Sequence, residues 1–127
     1  MHKSLLMLVA AASAPLLAGA SPFEQTLRKL DPEERAHQAC IIKGLETVRR
    51  DARLREADRM KTSIFGRAVL EGTRLTAKGG AVRVKQRWYA IAFTCTLVPD
   101  YMKATSFVFE LGAEVPKSRW DEYGLWG

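Results

Sequence analysis

The sequence predicts an α+β fold: an N-terminal amphipathic helix packed on a small antiparallel meander of three to four strands, with a short C-terminal helical segment and one disulfide. Three observations predict it. Apolar residues recur at helical spacing from Pro32 to about Arg50. They alternate with period two from Trp88 to Leu97. Each of these stretches carries one of the chain's two cysteines, Cys40 and Cys95.

Residues 1–20 stand apart from this domain. Lys3 supplies a short positive start, Leu5 to Leu17 is almost unbroken apolar sequence, and Ala18-Gly19-Ala20 has the small-x-small pattern of a signal-peptidase site. The apolar run is too short to cross a bilayer core of about 30 Å, and Pro15 interrupts it. The expectation is a signal peptide cleaved after Ala20, export to the periplasm, and no transmembrane segment afterwards. No cysteine follows the run closely and no arginine pair precedes it, which argues against a lipoprotein and for the general export route. Lys3 is the only charged residue in this segment, so its removal takes the formal net charge from +6 to +5. Residues 21–30 read as a lead-in, and 31–126 as a single α+β domain.

The helix begins at Asp31-Pro32-Glu33-Glu34. Asp31 is placed to cap it, Pro32 suits its first turn, and Glu34 completes a capping box. Cys40, Gly44, His37, Val48, Ile41 and Leu45 share one face; Gln38, Lys43, Glu46, Arg49 and Arg50 share the other. Arg49 to Lys61 is a mixed-charge stretch that either continues the helix or breaks into a loop and a second short helix, and it reads as a solvated face.

From Gly72 the period changes. Thr73 to Ala77 reads as a short strand, Lys78-Gly79-Gly80 as a turn, Ala81 to Val84 as a strand, and Lys85-Gln86-Arg87 as a tight connection. In the next strand Tyr89, Ile91, Phe93, Cys95 and Leu97 face the core, and Trp88, Ala90, Ala92, Thr94 and Thr96 face away. Thr105 to Leu111 alternates again, with Phe107, Phe109 and Leu111 inward and Gly112 ending the strand. Pro116 opens a short helix carrying Trp120 and Tyr123, which Gly124 stops.

Two cysteines in an exported chain predict a disulfide, and both fall on core faces of different elements. Closing a loop of about 55 residues would add roughly 4 kcal/mol in the chain-entropy picture.

These residues, taken together, resemble a known family. Leu30-Asp31-Pro32-Glu33-Glu34-Arg35 is followed by Gln38-Ala39-Cys40, then Gly80-Ala81, Lys85-Gln86-Arg87-Trp88-Tyr89 and Phe93-Thr94-Cys95. The chain closes with Thr105-Ser106-Phe107, Gly112, Pro116 and Trp120-Asp121-Glu122-Tyr123-Gly124-Leu125. This order resembles the alphaproteobacterial family catalogued as domain of unknown function 930, over about Leu30 to Trp126. The resemblance implies an exported single domain and assigns no activity.

Catalytic and metal chemistry find little support in the sequence. After cleavage His37 is the only histidine, and it sits on the apolar helix face, where a core histidine is the commoner outcome. A disulfide leaves no thiol for Cys–His chemistry. No His-x-x-x-His or Cys-x-x-Cys spacing exists, there is no asparagine for a calcium loop, and Gly79-Gly80 lacks the context of a phosphate loop. The expectation is therefore no catalytic residue, no metal and no cofactor. Glu110 with Glu114, or Asp121 with Glu122, are the pairs a small carboxylate hydrolase would use. The residues picked out as a binding surface are Arg83, Lys85, Arg87 and Trp88, with Trp120 and Tyr123. Trp88 is expected to be exposed because it faces away from the main apolar side. The partners this suits are an envelope protein or an anionic envelope polymer; export argues against nucleic acid. An inhibitory or structural module is the remaining reading.

Overall fold

A computed structural model describes residues 19–127. Two helices, α1 (Pro22–Lys29) and α2 (Pro32–Val48), lead into an antiparallel sheet of five strands: β1 (Ala57–Lys61), β2 (Val69–Glu71), β3 (Arg74–Val84), β4 (Arg87–Leu97) and β5 (Ala104–Glu114). A 3-10 turn at Lys117–Arg119 and the short helix α3 (Trp120–Tyr123) follow. The α+β reading holds, with five strands where three to four were expected. The expected signal segment lies outside the described residues up to residue 18.

All strand pairs are antiparallel, in the order β1-β3-β4-β5, and β2 lies on the same side of β3 as β1. The extra strands come from two segments the sequence left unresolved. The mixed-charge stretch ends α2 at Val48, makes one 3-10 turn at Ala52–Leu54, and becomes β1. Residues 69–71 then form a short hairpin with the start of β3, turning at Gly72 with φ of 59°.

Lys78-Gly79-Gly80 is not a turn. It is an irregularity inside one continuous strand, between Ala77 opposite Phe93 and Gly80 opposite Ile91. The glycines are there for closeness. A Cβ on Gly79 would sit 2.5 Å from the backbone nitrogen of Gly66, and one on Gly80 would sit 2.9 Å from the carbonyl of Lys61. The Gly79 carbonyl accepts from the N–H groups of both Ile64 and Phe65, each at 2.8 Å. The β1–β2 connection is thereby laid against β3. Gly112 likewise does not end its strand, since β5 runs on to Glu114.

The lead-in is itself a helix. Ser21 and Glu24 form a reciprocal capping box, the Ser21 hydroxyl accepting from the Glu24 N–H and the Glu24 carboxylate from the Ser21 N–H. The box expected at α2 is absent: Asp31 occupies the cap position without a side-chain hydrogen bond. Arg35 ties the corner instead, donating to the carbonyls of Leu27, Arg28, Leu30 and Asp100.

One face of the sheet packs under α2, where Val48, Leu75, Val82, Ile91, Phe93 and Phe107 surround a Cys40–Cys95 disulfide with both cysteines fully buried. Gly44 lets the helix come down on Phe107 and Met60. The other face is covered at one end only. There the C-terminal strap lays Val115, Trp120 and Leu125 over Ala81 and Trp88.

A basic cleft at the β3–β4 turn

The β3–β4 connection is a two-residue turn. Val84 pairs with Arg87, and Lys85 and Gln86 have φ of 51° and 66°. Such turns match the right-handed twist of a hairpin and normally carry Asn or Gly, which tolerate positive φ. Lys85 and Gln86 hold this conformation without that tolerance, at a cost of about 1 kcal/mol or more each.

This turn forms one wall of a cleft of about 500 Å³, lined by Arg53, Arg55, Glu56, Lys85, Arg87 and Tyr89 among others. The opposite wall is the segment between α2 and β1. Ala57 pairs with Val84, which carries Arg55 and Glu56 up beside the turn. Two of the four cations are already held: Arg53 by Asp51 at 2.7 Å and Lys85 by Glu56 at 3.4 Å. The Asp51 carboxyl is pulled down to about 2, chiefly by the hydrogen bond from the Arg53 side chain. Arg55 and Arg87 form no ion pair or side-chain hydrogen bond among the described residues, and the Tyr89 hydroxyl has no partner there either. Arg55, Arg87 and Tyr89 thus line the cleft without partners among the described residues, and guanidinium matches the planar oxygens of carboxylates and phosphates.

Of the six surface residues expected from the sequence, the structure puts Lys85 and Arg87 in the cleft and gathers the other four in or against the strap-side cluster. Trp88 is fully buried, which corrects its expected exposure: at its Trp88 end, the face of β4 opposite α2 lies beneath the C-terminal strap. Its indole N–H donates to the Trp126 carbonyl at 2.7 Å. Arg83, 9% exposed, is on that same face and donates through two nitrogens to Asp58, at 2.9 and 2.7 Å. Trp120 is buried, donating to the Val115 carbonyl. Tyr123 is half-buried against Phe65, with Arg119 donating to its hydroxyl at 2.8 Å. Arg53 and Arg55 were missed because they lie in the stretch read as solvated. No local pattern could have placed them beside residue 85.

His37 sits at the edge of the core. Its Nδ1 is 2.7 Å from the Thr62 hydroxyl, and its Nε2 is 3.8 Å from the Glu33 carboxylate. The order hydroxyl–imidazole–carboxylate invites a catalytic reading, but the geometry opposes it. Thr62 is only 8% exposed, and the Glu33 contact is too long for the hydrogen bond that orients a catalytic imidazole. The carboxylates whose pKa values move, Asp51, Asp58 and Glu122, all move down, because an arginine holds each of them ionised. A general acid needs the opposite shift. Among the described residues no group of His, Cys, Asp and Glu is arranged to hold a metal ion, and no helix is long and apolar enough to cross a membrane.

A family model described as Domain of Unknown Function (DUF930) matches residues 27–125. The chain belongs to this family. The DUF930 match runs from Leu27 in α1 to Leu125 in the strap, and so takes in the disulfide, both walls of the cleft and the cover over Trp88. No curated protein and no solved structure matches the chain.

Proposed function

We propose that this DUF930 protein is an exported, periplasmic, non-catalytic domain that binds an anionic envelope component through the cleft at the β3–β4 turn. The observation that carries the reading is that Arg55 and Arg87, both without partners among the described residues, line one concave site with Lys85 and Arg53. Four cations from two segments some thirty residues apart are not a by-product of one charged helix face. The strained Lys85-Gln86 turn supports it, because residues held in unfavourable backbone regions cluster at ligand sites. A buried disulfide and an apolar N-terminal segment ending in Ala18-Gly19-Ala20 support export. The acidic face of a partner protein is the second occupant this chemistry suits. No observation favours the carboxylate hydrolase: Glu110 and Glu114 are exposed on β5, and Glu122 is engaged by Arg119 at 2.8 Å.

The test is retention on immobilised anionic polymers and on envelope fractions at moderate salt. The double variant Arg55→Gln/Arg87→Gln is expected to bind at least about tenfold more weakly. Lys29→Gln/Lys78→Gln, which removes the same charge outside the cleft, is expected to change little beyond the salt-sensitive background. Equal losses in the two variants would show that net charge, not the cleft, does the binding. Intact mass of the accumulated protein checks cleavage after Ala20.

A further inference from the structure

Resting on the cleft as the binding site, we infer that the strap side of the β3–β4 hairpin is a clamp that positions the cleft on its other side, with Asp58, Arg83, Trp88 and Trp126 as positioning residues. Successive side chains of a strand point to opposite faces. Arg87 and Tyr89 line the cleft, and Trp88 between them is buried beneath the strap. On the neighbouring strand Val84 and Lys85 line the cleft, and Arg83 before them lies over the Trp88 ring. Arg83 and Trp88 pair with each other across the ladder. The hairpin is therefore held from behind at the residues whose neighbours form its front.

Two fastenings do the holding. The first joins hairpin to strap. The Trp88 indole N–H donates to the Trp126 carbonyl at 2.7 Å, and the Trp88 carbonyl accepts from the Val115 N–H at 2.8 Å. Lys61 Nζ lies over the Trp126 ring, 4.7 Å from its centre. A Cβ on Gly127 would sit 3.9 Å from the Gln86 carbonyl oxygen, so the strap reaches the turn itself. The second fastening joins the two walls of the cleft. Arg83 donates through two nitrogens to Asp58. Asp58 directly follows Ala57, which pairs with Val84, and stands three residues after Arg55.

The front of the cleft has no fastening of that strength. The ion pair that crosses it, Lys85 with Glu56, joins side chains that are 70% and 66% exposed, and exposed pairs add little. The turn between the strands is held at positive φ by Lys85 and Gln86, a conformation that persists only where its surroundings impose it. Without the clamp, Lys85 and Arg87 would be in place for only part of the time. The apparent affinity of the cleft falls by that fraction, while the contacts of the bound form stay the same. The linkage is reciprocal, so an anion in the cleft also steadies the strap.

Calorimetric titration with inorganic tripolyphosphate, on the protein expressed from its complete coding sequence, tests this. Trp126→Ala is expected to bind about fivefold more weakly, and Trp126→Phe to recover most of the loss. Asp58→Asn is expected to bind at least about twofold more weakly although it makes the protein one charge more positive, the opposite of what net charge alone would do. Trp126→Ala and Asp58→Asn should keep the salt dependence of the wild type, because the bound form keeps its ionic contacts. Arg55→Gln/Arg87→Gln should show a shallower one. If Arg55→Gln/Arg87→Gln weakens binding but Trp126→Ala or Asp58→Asn binds as tightly as wild type, the clamp is overturned and the cleft stands. If Arg55→Gln/Arg87→Gln binds as tightly as wild type, the cleft reading falls and the clamp with it. Should Trp126→Ala fail to fold, hydrogen exchange at the Trp88 indole N–H of the wild type decides: saturating tripolyphosphate is expected to slow it, and an unchanged rate overturns the inference.

Discussion

Replacing Gly79 with alanine asks whether its lost side chain is what allows the β1–β2 connection to close on β3. The added methyl would lie 2.5 Å from the Gly66 nitrogen and 2.7 Å from the Phe65 carbonyl carbon. Both are backbone atoms and cannot swing aside as a side chain could, so the segment around Ile64 and Phe65 must lift. Lifting it breaks the two hydrogen bonds to the Gly79 carbonyl, at about 1 kcal/mol each. Overpacking against the segment adds about 1–2 kcal/mol. The sum is about 3–4 kcal/mol. In urea denaturation, where a small domain loses about 1–3 kcal/mol per molar denaturant, the midpoint should fall by about 1–4 M with the slope unchanged. Gly66→Ala is the control from the other side of the contact, because a Cβ there meets nothing within 4 Å. It should stay within about 0.5 kcal/mol of wild type. Gly79→Ala as stable as Gly66→Ala would refute the close-approach account.

Two further outcomes follow from the core and the strap face. Cys40→Ala/Cys95→Ala frees a loop spanning 55 residues of separation, and urea denaturation should show a loss of about 4 kcal/mol. Asp58→Asn should cost about 1 kcal/mol at neutral pH, since Asp58 is half-exposed but leaves the nearly buried Arg83 without its partner. The Arg83 hydrogen bond holds the Asp58 carboxyl below its ordinary value. The unfolded chain therefore binds that proton more tightly, and the contribution is complete above the ordinary Asp pKa of about 3.9 and lost as pH falls through the lower folded value. The gap between wild type and Asp58→Asn, followed by denaturation at stepped pH, should narrow below pH ~4; a gap that widens on acidification would contradict the sign.

The disulfide was legible in the sequence because each cysteine lies on a clean apolar period, 3.6 in one element and 2 in the other. Trp88 was misplaced by the same logic. Alternation sorts residues to two faces but does not say that both faces are covered, and the second cover comes from residues 115–125, far along the chain. Gly79-Gly80 was misread because a glycine pair signals either a turn or a close approach, and only the position of residues 61–66 tells the two apart. The cap of α1 is legible in the sequence: Ser21-Pro22-Phe23-Glu24 has the spacing of a capping box. Half of the cleft was visible as Lys85 and Arg87. The other half, Arg53 and Arg55, depends on the pairing of Ala57 with Val84, a long-range register that charge pattern does not encode.

The C-terminal strap has a consequence for optical work. All three tryptophans of the chain, Trp88, Trp120 and Trp126, lie on its side of the sheet, with the rings of Trp88 and Trp126 5.7 Å apart. None lies on the side that holds the disulfide and α2. Emission therefore watches the strap, while far-ultraviolet dichroism watches the helix and strands. Coincident melting curves would mean that the molecule opens as one body; an earlier fluorescence transition would mean that the strap peels away from a sheet still locked to its helix.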